Sequence, residues 1–241
     1  MQQYAILTYH QIDLAPPPPA QFRSLYVAPS AFARQMHCLK LLGYRGISMG
    51  ELLPYLRGDK PGKVVGLTFD DGYCNNLQHA LPVLQEYGFT ATCYVMSHLL
   101  GKTNVWDIPN GVKQADLMTP SQIRQWVQAG MEIGAHTQTH CKLPLVSDAD
   151  AVREINDCKA ELGALLGEAV DHFCYPYGLY EARHAAIAQD AGYLSATTTQ
   201  RGKVMAGMDL FQLRRIPVVR STSMPQFLLK LLTGYENGKG A

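Results

Sequence analysis

The alternation of short apolar segments with longer amphipathic ones constrains the fold of this chain most strongly. The apolar segments are rich in β-branched residues, which favour strands, and they cover residues 4–8, 45–48, 64–69, 91–95, 132–135, 172–175, 194–198 and 213–218. Strand–helix–strand alternation predicts an α/β fold in which helices cover a parallel sheet. Seven or eight such units fit a closed barrel as well as an open sheet. We expect a single domain over residues 1–241.

Three helices are predicted from the residues that would cap them, namely Ser30 before 31–42, Thr119-Pro120 before 121–129 and Ser147 before 148–166. In the last of these, apolar residues recur at helical spacing and predict one buried face. Two other stretches read as loops. A run of four prolines within residues 15–20 either wraps the rim or shapes a substrate mouth, and residues 97–118 form either a sugar-binding loop or a plain one.

The charge and hydropathy of the chain exclude several classes of partner. A net charge of +1 predicts no strong attraction to nucleic acid. No apolar run reaches the ~18–20 residues that span a bilayer, so we expect no transmembrane segment. The first residues have no pattern of a secretion signal. We therefore expect a cytoplasmic protein, or a periplasmic or extracellular one if a leader has been removed. The sequence does not define the oligomeric state.

Two aspartates, Asp70 and Asp71, follow the apolar segment 64–69 directly and precede Gly72. Carboxylates on adjacent residues at the end of a strand point to opposite sides of the backbone. One can therefore face a metal ion while the other faces a water molecule. An Asp-Asp-Gly turn between two strands is the plain structural alternative.

Two histidines, His136 and His140, follow a second apolar segment about 65 residues further on. Their spacing places both imidazoles on one side of a helical turn or a tight loop. One carboxylate and two imidazoles hold a divalent metal and leave it open to water. These ligands suit zinc, and cobalt or nickel would also bind. With a second carboxylate as base, the set indicates metal-assisted hydrolysis.

The two segments together resemble a known family. TFDDG at 68–72 and HTQTH at 136–140 resemble the first two signatures of the polysaccharide deacetylases, the NodB-homology or carbohydrate esterase family 4 enzymes, and FCYPYG at 173–178 resembles the third. The resemblance covers nearly the whole chain. It implies a distorted (β/α)7-8 barrel, a divalent metal, and removal of N-acetyl or O-acetyl groups from a sugar or polysaccharide.

The resemblance also implies roles for individual residues. Asp71, His136 and His140 would hold the metal, and Asp70 would be the general base. The backbone N–H of Tyr177 would stabilise the oxyanion. Pro176 and Tyr177 would shape the wall of the acetyl pocket.

Two departures from the family pattern point to one branch of it. The third signature usually carries an arginine that holds the catalytic aspartate, whereas this chain has Cys174 there, and residues 213–218 lack the usual histidine. Members of the branch similar to poly-β-1,6-N-acetylglucosamine deacetylases have a Tyr-His pair at the end of the first strand, and Tyr9-His10 matches that pair. His10 would then be the general acid and Arg215 the partner of Asp70. An ordinary capping histidine at position 10 remains an alternative.

Three functions are therefore open. The leading hypothesis is a metal-dependent sugar N-deacetylase whose partner is an acetylated carbohydrate. A second is a deacylase of another amide on a small or lipid-linked sugar. A third is a catalytically silent carbohydrate-binding barrel, which the missing arginine and the displaced histidine would favour.

Overall fold

A computed structural model describes residues 2–240, so that Met1 and Ala241 of the predicted domain lie outside the described residues. The strands, in chain order, are β1 (Gln3–Tyr9), β2 (Gln11–Ile12), β3 (Tyr26–Val27), β4 (Arg45–Ile47), β5 (Val64–Phe69), β6 (Thr92–Val95), β7 (Glu132–Ala135), β8 (His172–Cys174), β9 (Ser195–Arg201), β10 (Val204–Met205) and β11 (Leu213–Pro217). The helices are α1 (Pro29–Leu41), α2 (Met49–Arg57), α3 (Leu81–Tyr87), α4 (Pro120–Gln128), α5 (Asp148–Leu166), α6 (Ala182–Asp190) and α7 (Met224–Leu232).

Seven parallel strands close into a barrel. Around the ring, β1 is followed by β5, β6, β7, β8, β9 and β11, and β11 pairs with β1 again. The predicted α/β barrel is therefore confirmed, and the open sheet is excluded because β5 and β11, the two ends of the strand series, both pair with β1. β4 pairs beside the first half of β5, and β10 pairs antiparallel with the start of β1. These two additions distort the ring.

The strands are buried on both faces, as expected for parallel strands between a barrel interior and a layer of helices. All six residues of β5 are buried. One position depends on the absence of a side chain. A Cβ at Gly134 in β7 would lie 2.4 Å from Cδ1 of Tyr94, so glycine allows that ring to pack inside the barrel.

Two of the three predicted caps are confirmed. Thr119 forms a capping box with Gln122 at the start of α4, and Ser147 accepts a hydrogen bond from the N–H of Asp150 at the start of α5. The prediction for Ser30 is wrong, because α1 begins at Pro29 and its N-cap is Ala28, two residues before the predicted cap. Proline suits the first helical position since its φ is already helical and its missing N–H would have no partner in the helix.

The carboxyl ends of the barrel strands converge on one rim. β1, β5 and β7 end directly before the segments of His10, Asp70 and His136, and residues 176–178 follow β8. The short pair β2–β3 extends this rim beyond β1. Among residues 2–240, no helix has both the length and the apolar character needed to cross a membrane.

Helix α7 packs on the barrel through one face, which a matched pair of variants can test. Leu231 is 1% exposed and Leu232 is 51% exposed. We expect Leu231→Ala to lower the free energy of unfolding by ~2–5 kcal/mol, because it leaves a cavity in the core. Leu232→Ala should cost under ~1 kcal/mol. Urea denaturation of both variants measures the difference, and equal losses would contradict this packing.

Candidate functional site

Asp71, His136 and His140 form a compact cluster with the spacing of a metal site. The three ligand atoms lie within 4.8 Å of one another. Nε2 of His136 is 3.5 Å from Oδ1 of Asp71, and Nε2 of His140 is 3.3 Å from the same oxygen. Two donors that each lie ~2.1 Å from a tetrahedral zinc ion are about 3.4 Å apart. The cluster therefore fits a tetrahedral divalent cation.

Hydrogen bonds and burial act differently on the two imidazoles. Nδ1 of His136 donates to the carbonyl of Cys174 at 2.7 Å, which turns Nε2 towards Asp71. Burial lowers the pKa of His136, but Cys174 and the Asp71 carboxylate outweigh it and raise that pKa well above its usual value. Burial lowers the pKa of His140, against the opposing effect of Asp71, and so favours the neutral ring. Nδ1 of His140 is buried and has no hydrogen-bond partner among residues 2–240. The His140 ring lies between Trp106, at 4.3 Å between ring centroids, and Tyr177, at 4.6 Å.

Strained backbone concentrates at this cluster. Within residues 2–240, the non-glycine residues with positive φ are Phe22, Asp71, Thr137, His140 and Tyr177. Side chains disfavour this left-handed region, at a cost of order 1–3 kcal/mol for each residue. Four of the five line the cavity described below, and Thr137 lies in the loop between the two histidines. Strain of this kind persists only where surrounding contacts hold it.

Glu154 of α5 supplies such contacts to the loop between the histidines. Its Oε2 accepts hydrogen bonds from the N–H groups of Gln138 at 2.8 Å and Thr139 at 2.9 Å. Its Oε1 accepts a third from the Thr139 hydroxyl at 2.6 Å. One turn further along α5, Sγ of Cys158 lies 3.1 Å from the carbonyl of Thr137. α5 therefore fixes the loop that carries both imidazoles.

Asp70 forms a buried two-point ion pair with Arg215. Nη1 of Arg215 donates to Oδ1 at 2.6 Å and Nη2 donates to Oδ2 at 2.7 Å. Burial raises the pKa of Asp70, but the guanidinium charge of Arg215 outweighs it and lowers the pKa below 3.8. Burial likewise raises the pKa of Asp71, and hydrogen bonds with the two histidines bring it well below 3.8. Both carboxylates are therefore ionised at neutral pH.

His10 reaches the same carboxylate from the end of β1. Its Nε2 lies 3.9 Å from Oδ2 of Asp70, and its side chain is 26% exposed. Asn76, which is fully buried, anchors the backbone on both sides of this turn. It donates to the carbonyl of His10 at 2.8 Å and accepts from the N–H of Ile12 at 3.3 Å. The imidazole thus faces the site from an anchored backbone and remains open to solvent.

These groups line one cavity of about 120 Å³, the catalytic pocket. Its lining comprises His10, Phe22, Leu25, Asp70, Asp71, Trp106, Asp107, His136, His140, Tyr175, Tyr177 and Thr199. Tyr177, which is 39% exposed, forms part of the wall, while Pro176 is buried. Burial raises the pKa of Asp107, although Asn104 donates a hydrogen bond to it.

Four of these residues were not predicted at the site from the sequence, namely Phe22, Leu25, Tyr175 and Thr199. Phe22 and Leu25 lie at the two ends of one short helical turn that has no recognisable sequence pattern. Tyr175 belongs to the third signature but precedes its Pro-Tyr pair. Trp106 and Asp107 lie within residues 97–118, which the sequence predicts as a loop. Every site residue predicted from the sequence except Pro176 lies at this pocket or in contact with it. Their catalytic roles stay predictions.

Comparisons with known proteins find similar sequences and similar structures. A family model described as polysaccharide deacetylase matches residues 57–196. YxkH of Bacillus subtilis, which carries a provisional polysaccharide deacetylase name, is 28% identical over 215 residues, covering 88% of this chain and 70% of that protein. The structure of the Streptococcus pyogenes deacetylase PplD in complex with acetate has a TM-score of 0.84 and 28% identity, covering 96% of this chain and 99% of that one.

A more distant relative has a more specific name. The poly-β-1,6-N-acetyl-D-glucosamine N-deacetylase of Staphylococcus aureus is 21% identical over 225 residues, which cover 89% of this chain and 74% of that protein. The structure of IcaB from Ammonifex degensii has a TM-score of 0.81 at 24% identity, covering 96% of this chain and 97% of that one. At that identity the structural likeness shows the fold.

The buried pair of Asp70 and Arg215 can be tested by unfolding. Asp70→Asn leaves an uncompensated buried guanidinium and should lower the free energy of unfolding by about 3–5 kcal/mol at pH 7. The double variant with Arg215→Met should lose less than the sum of the single losses. The pKa of Asp70 is lower in the folded state than in the unfolded state. The contribution of Asp70 to the free energy of unfolding is therefore complete above the ordinary pKa of ~3.9 and is lost as the pH falls further.

The loss measured for Asp70→Asn should therefore be constant from pH 7 to pH 5 and shrink below pH 4. Urea denaturation across this range measures it against the wild-type protein. A loss that grows as the pH falls would contradict the lowered pKa.

Proposed function

The chain belongs to the polysaccharide deacetylase family, and on this basis we propose that it is a metal-dependent hydrolase that removes N-acetyl groups from an acetylated carbohydrate. The cluster of Asp71, His136 and His140 beside the buried Asp70 carries the proposal. A separate carboxylate next to a three-ligand set is the arrangement that metal-assisted hydrolysis needs.

Asp71, His136 and His140 would hold the metal. A divalent cation there would lower the pKa of a water molecule toward neutrality and would polarise the acyl oxygen. The donor set of two imidazoles and one carboxylate favours zinc, with cobalt or nickel as alternatives. The Cys174 carbonyl that fixes His136 supports this assignment, because ligating histidines commonly donate their second N–H to such a group.

Asp70 would act as general base and take a proton from the attacking water. Arg215 keeps that carboxylate ionised and fixes its plane through two hydrogen bonds. The guanidinium thus supplies the cation that the family's third signature usually provides. Its presence argues against a catalytically silent barrel, since the missing arginine was one of the two features that favoured one.

His10 would act as general acid and donate a proton to the leaving nitrogen. An imidazole is suited to proton transfer near neutral pH. Its Nε2 lies 3.9 Å from Asp70, so both groups can reach one tetrahedral carbon in the catalytic pocket. The backbone N–H of Tyr177 would donate a hydrogen bond to the oxyanion that forms on the acyl oxygen. The left-handed backbone at Tyr177, with φ of 59°, turns this peptide at the pocket wall.

Metal removal tests the proposal directly. Treatment with a chelator should abolish acetate release from N-acetylglucosamine oligomers, and added zinc, cobalt or nickel should restore it. His136→Ala should lose both bound metal and activity, because two remaining ligands hold a divalent ion poorly. Elemental analysis and an acetate assay measure the two quantities.

The matched control is His37→Ala, which removes an exposed imidazole on α1. This variant should keep the metal content and the activity of the wild-type protein. Full activity in metal-free protein would overturn the proposal. Release of another acid from a different amide, with no acetate, would favour the alternative deacylase.

A separate prediction concerns His10. We expect His10→Ala to lower kcat by about 10²–10⁴, which is the usual contribution of a general acid. Its metal content should stay that of the wild type, since His10 is outside the ligand cluster. Steady-state kinetics and elemental analysis measure both. A variant with unchanged kcat would show that His10 only caps the end of β1.

A further inference from the structure

In the loop between the two histidines of the cluster, backbone N–H groups donate to a side chain of the outer layer. We call the segment from His136 to His140 the metal loop. The N–H groups of Gln138 and Thr139 both donate to Oε2 of Glu154 on α5, at 2.8 Å and 2.9 Å. Consecutive N–H groups that converge in this way form a backbone nest, which is a concavity that binds anions. The Glu154 carboxylate therefore fills an anion site that the metal loop itself builds.

The metal loop needs such a partner because its backbone is strained. Thr137 has a φ of 66° and His140 has a φ of 62°, both in the left-handed region. Threonine is β-branched and tolerates that region poorly, and the metal loop contains no glycine that could adopt it at low cost. The hydroxyl of Thr137 accepts a hydrogen bond from the N–H of His140 at 3.0 Å and closes the loop. Contacts from outside the loop must offset the remaining strain.

The Glu154 carboxylate supplies charge-assisted contacts of this kind. Hydrogen bonds to an ionised acceptor are roughly twice as strong as those between neutral groups, and Glu154 accepts three of them from Gln138 and Thr139. Gln138 is 8% exposed, so its N–H would be left without a partner and largely shielded from water if the carboxylate were removed. Glu161, two turns further along α5, accepts a hydrogen bond from the Gln138 side chain at 2.9 Å. Glu161 thus holds the side chain of the loop, whereas Glu154 holds its backbone.

The geometry of the metal cluster depends on the metal loop, because the loop carries one imidazole at each end. Nε2 of His136 and Nε2 of His140 face the same oxygen of Asp71, at 3.5 Å and 3.3 Å. A rotation of the backbone at Thr137 out of the left-handed region would move one imidazole relative to the other. Zinc binds imidazole nitrogens at nearly fixed distances of ~2.0–2.1 Å. Such a rotation would therefore weaken metal binding.

We propose that Glu154 is a positioning residue of the metal site, whose carboxylate fills the nest in the metal loop and so sets the affinity of the cluster for a divalent metal. This inference rests on the proposed metal-dependent function. Glu154 lies outside the lining of the catalytic pocket, and it takes no step in the reaction. Its removal should therefore act on metal binding rather than on the chemistry of the metal-loaded enzyme.

The affinity for zinc tests this role. Competition with a chromophoric chelator measures the zinc dissociation constant of the wild-type protein, of Glu154→Ala and of Glu154→Gln. We expect Glu154→Ala to weaken zinc binding by about 10–100-fold, the usual effect of removing a group that orients metal ligands. Glu154→Gln keeps the size of the side chain and one acceptor oxygen but loses the charge, so its zinc binding should weaken less.

Two further measurements separate positioning from a general loss of structure. The visible absorption spectrum of the cobalt-loaded protein depends on the geometry of the ligands and should change in Glu154→Ala. Excess zinc should restore most of the acetate release of this variant, because every group assigned to the reaction is still present. Circular dichroism checks that each variant is folded.

Two control variants accompany these measurements. Asp157→Asn removes the charge of an exposed carboxylate on the same helix, and Leu231→Ala lowers stability through α7. Both should keep the zinc affinity and the cobalt spectrum of the wild type. Unchanged zinc affinity in both Glu154 variants, or an equal loss of affinity in Leu231→Ala, would overturn the role of Glu154 and leave the deacetylase proposal intact.

The outcomes also separate this role from the proposed function. If the wild-type protein binds zinc but releases no acetate, the deacetylase proposal fails, and the zinc affinities of the variants still decide the role of Glu154. If the wild-type protein binds no divalent metal, both proposals are overturned.

Discussion

The hydrogen bonds of one buried guanidinium, that of Arg215, organise the interior of the barrel. Arg215 is 1% exposed, and a charge in that position is stable only if its five N–H donors find partners. Its Nε donates to the carbonyl of Thr198 in β9 at 2.9 Å, and Nη1 also reaches the hydroxyl of Thr68 in β5 at 3.2 Å. Nη2 lies 3.2 Å from Sγ of Cys174 in β8. One side chain from β11 thereby connects three other strands and holds Asp70 at the rim.

A second constraint acts from outside the barrel. The loop between the two histidines adopts left-handed backbone at Thr137 and His140, and Glu154 with Cys158 on α5 holds it there. The catalytic pocket thus depends on two supports. Arg215 orients the carboxylate of Asp70 from within the barrel, and α5 holds the loop of His136 and His140 from the outer layer. Both supports are distant in sequence from the residues that they position.

Much of the fold and of the site was predictable from local patterns. Each of the eight predicted strands has a counterpart within a few residues, because apolar β-branched runs are the direct signal of buried parallel strands. The cap of α5 was predicted at Ser147, since a capping hydroxyl acts over three residues. The start of α1 was misplaced by a competing proline. Phe22 and Thr199 could not be found at the pocket, because only the folded rim brings isolated side chains there.

The sequence by itself determined the barrel strands, the order of the signatures and the identity of Asp70, Asp71, His136 and His140 as a set. These are properties of short segments, and short-range periodicity and residue chemistry encode them. The tertiary structure decided that seven strands close the ring, and it gave the two hydrogen bonds through which Arg215 meets Asp70 across 145 positions of the chain, a pairing that the family resemblance implied. Those features depend on side chains from several strands meeting in one low-dielectric interior, and no local pattern specifies such a meeting.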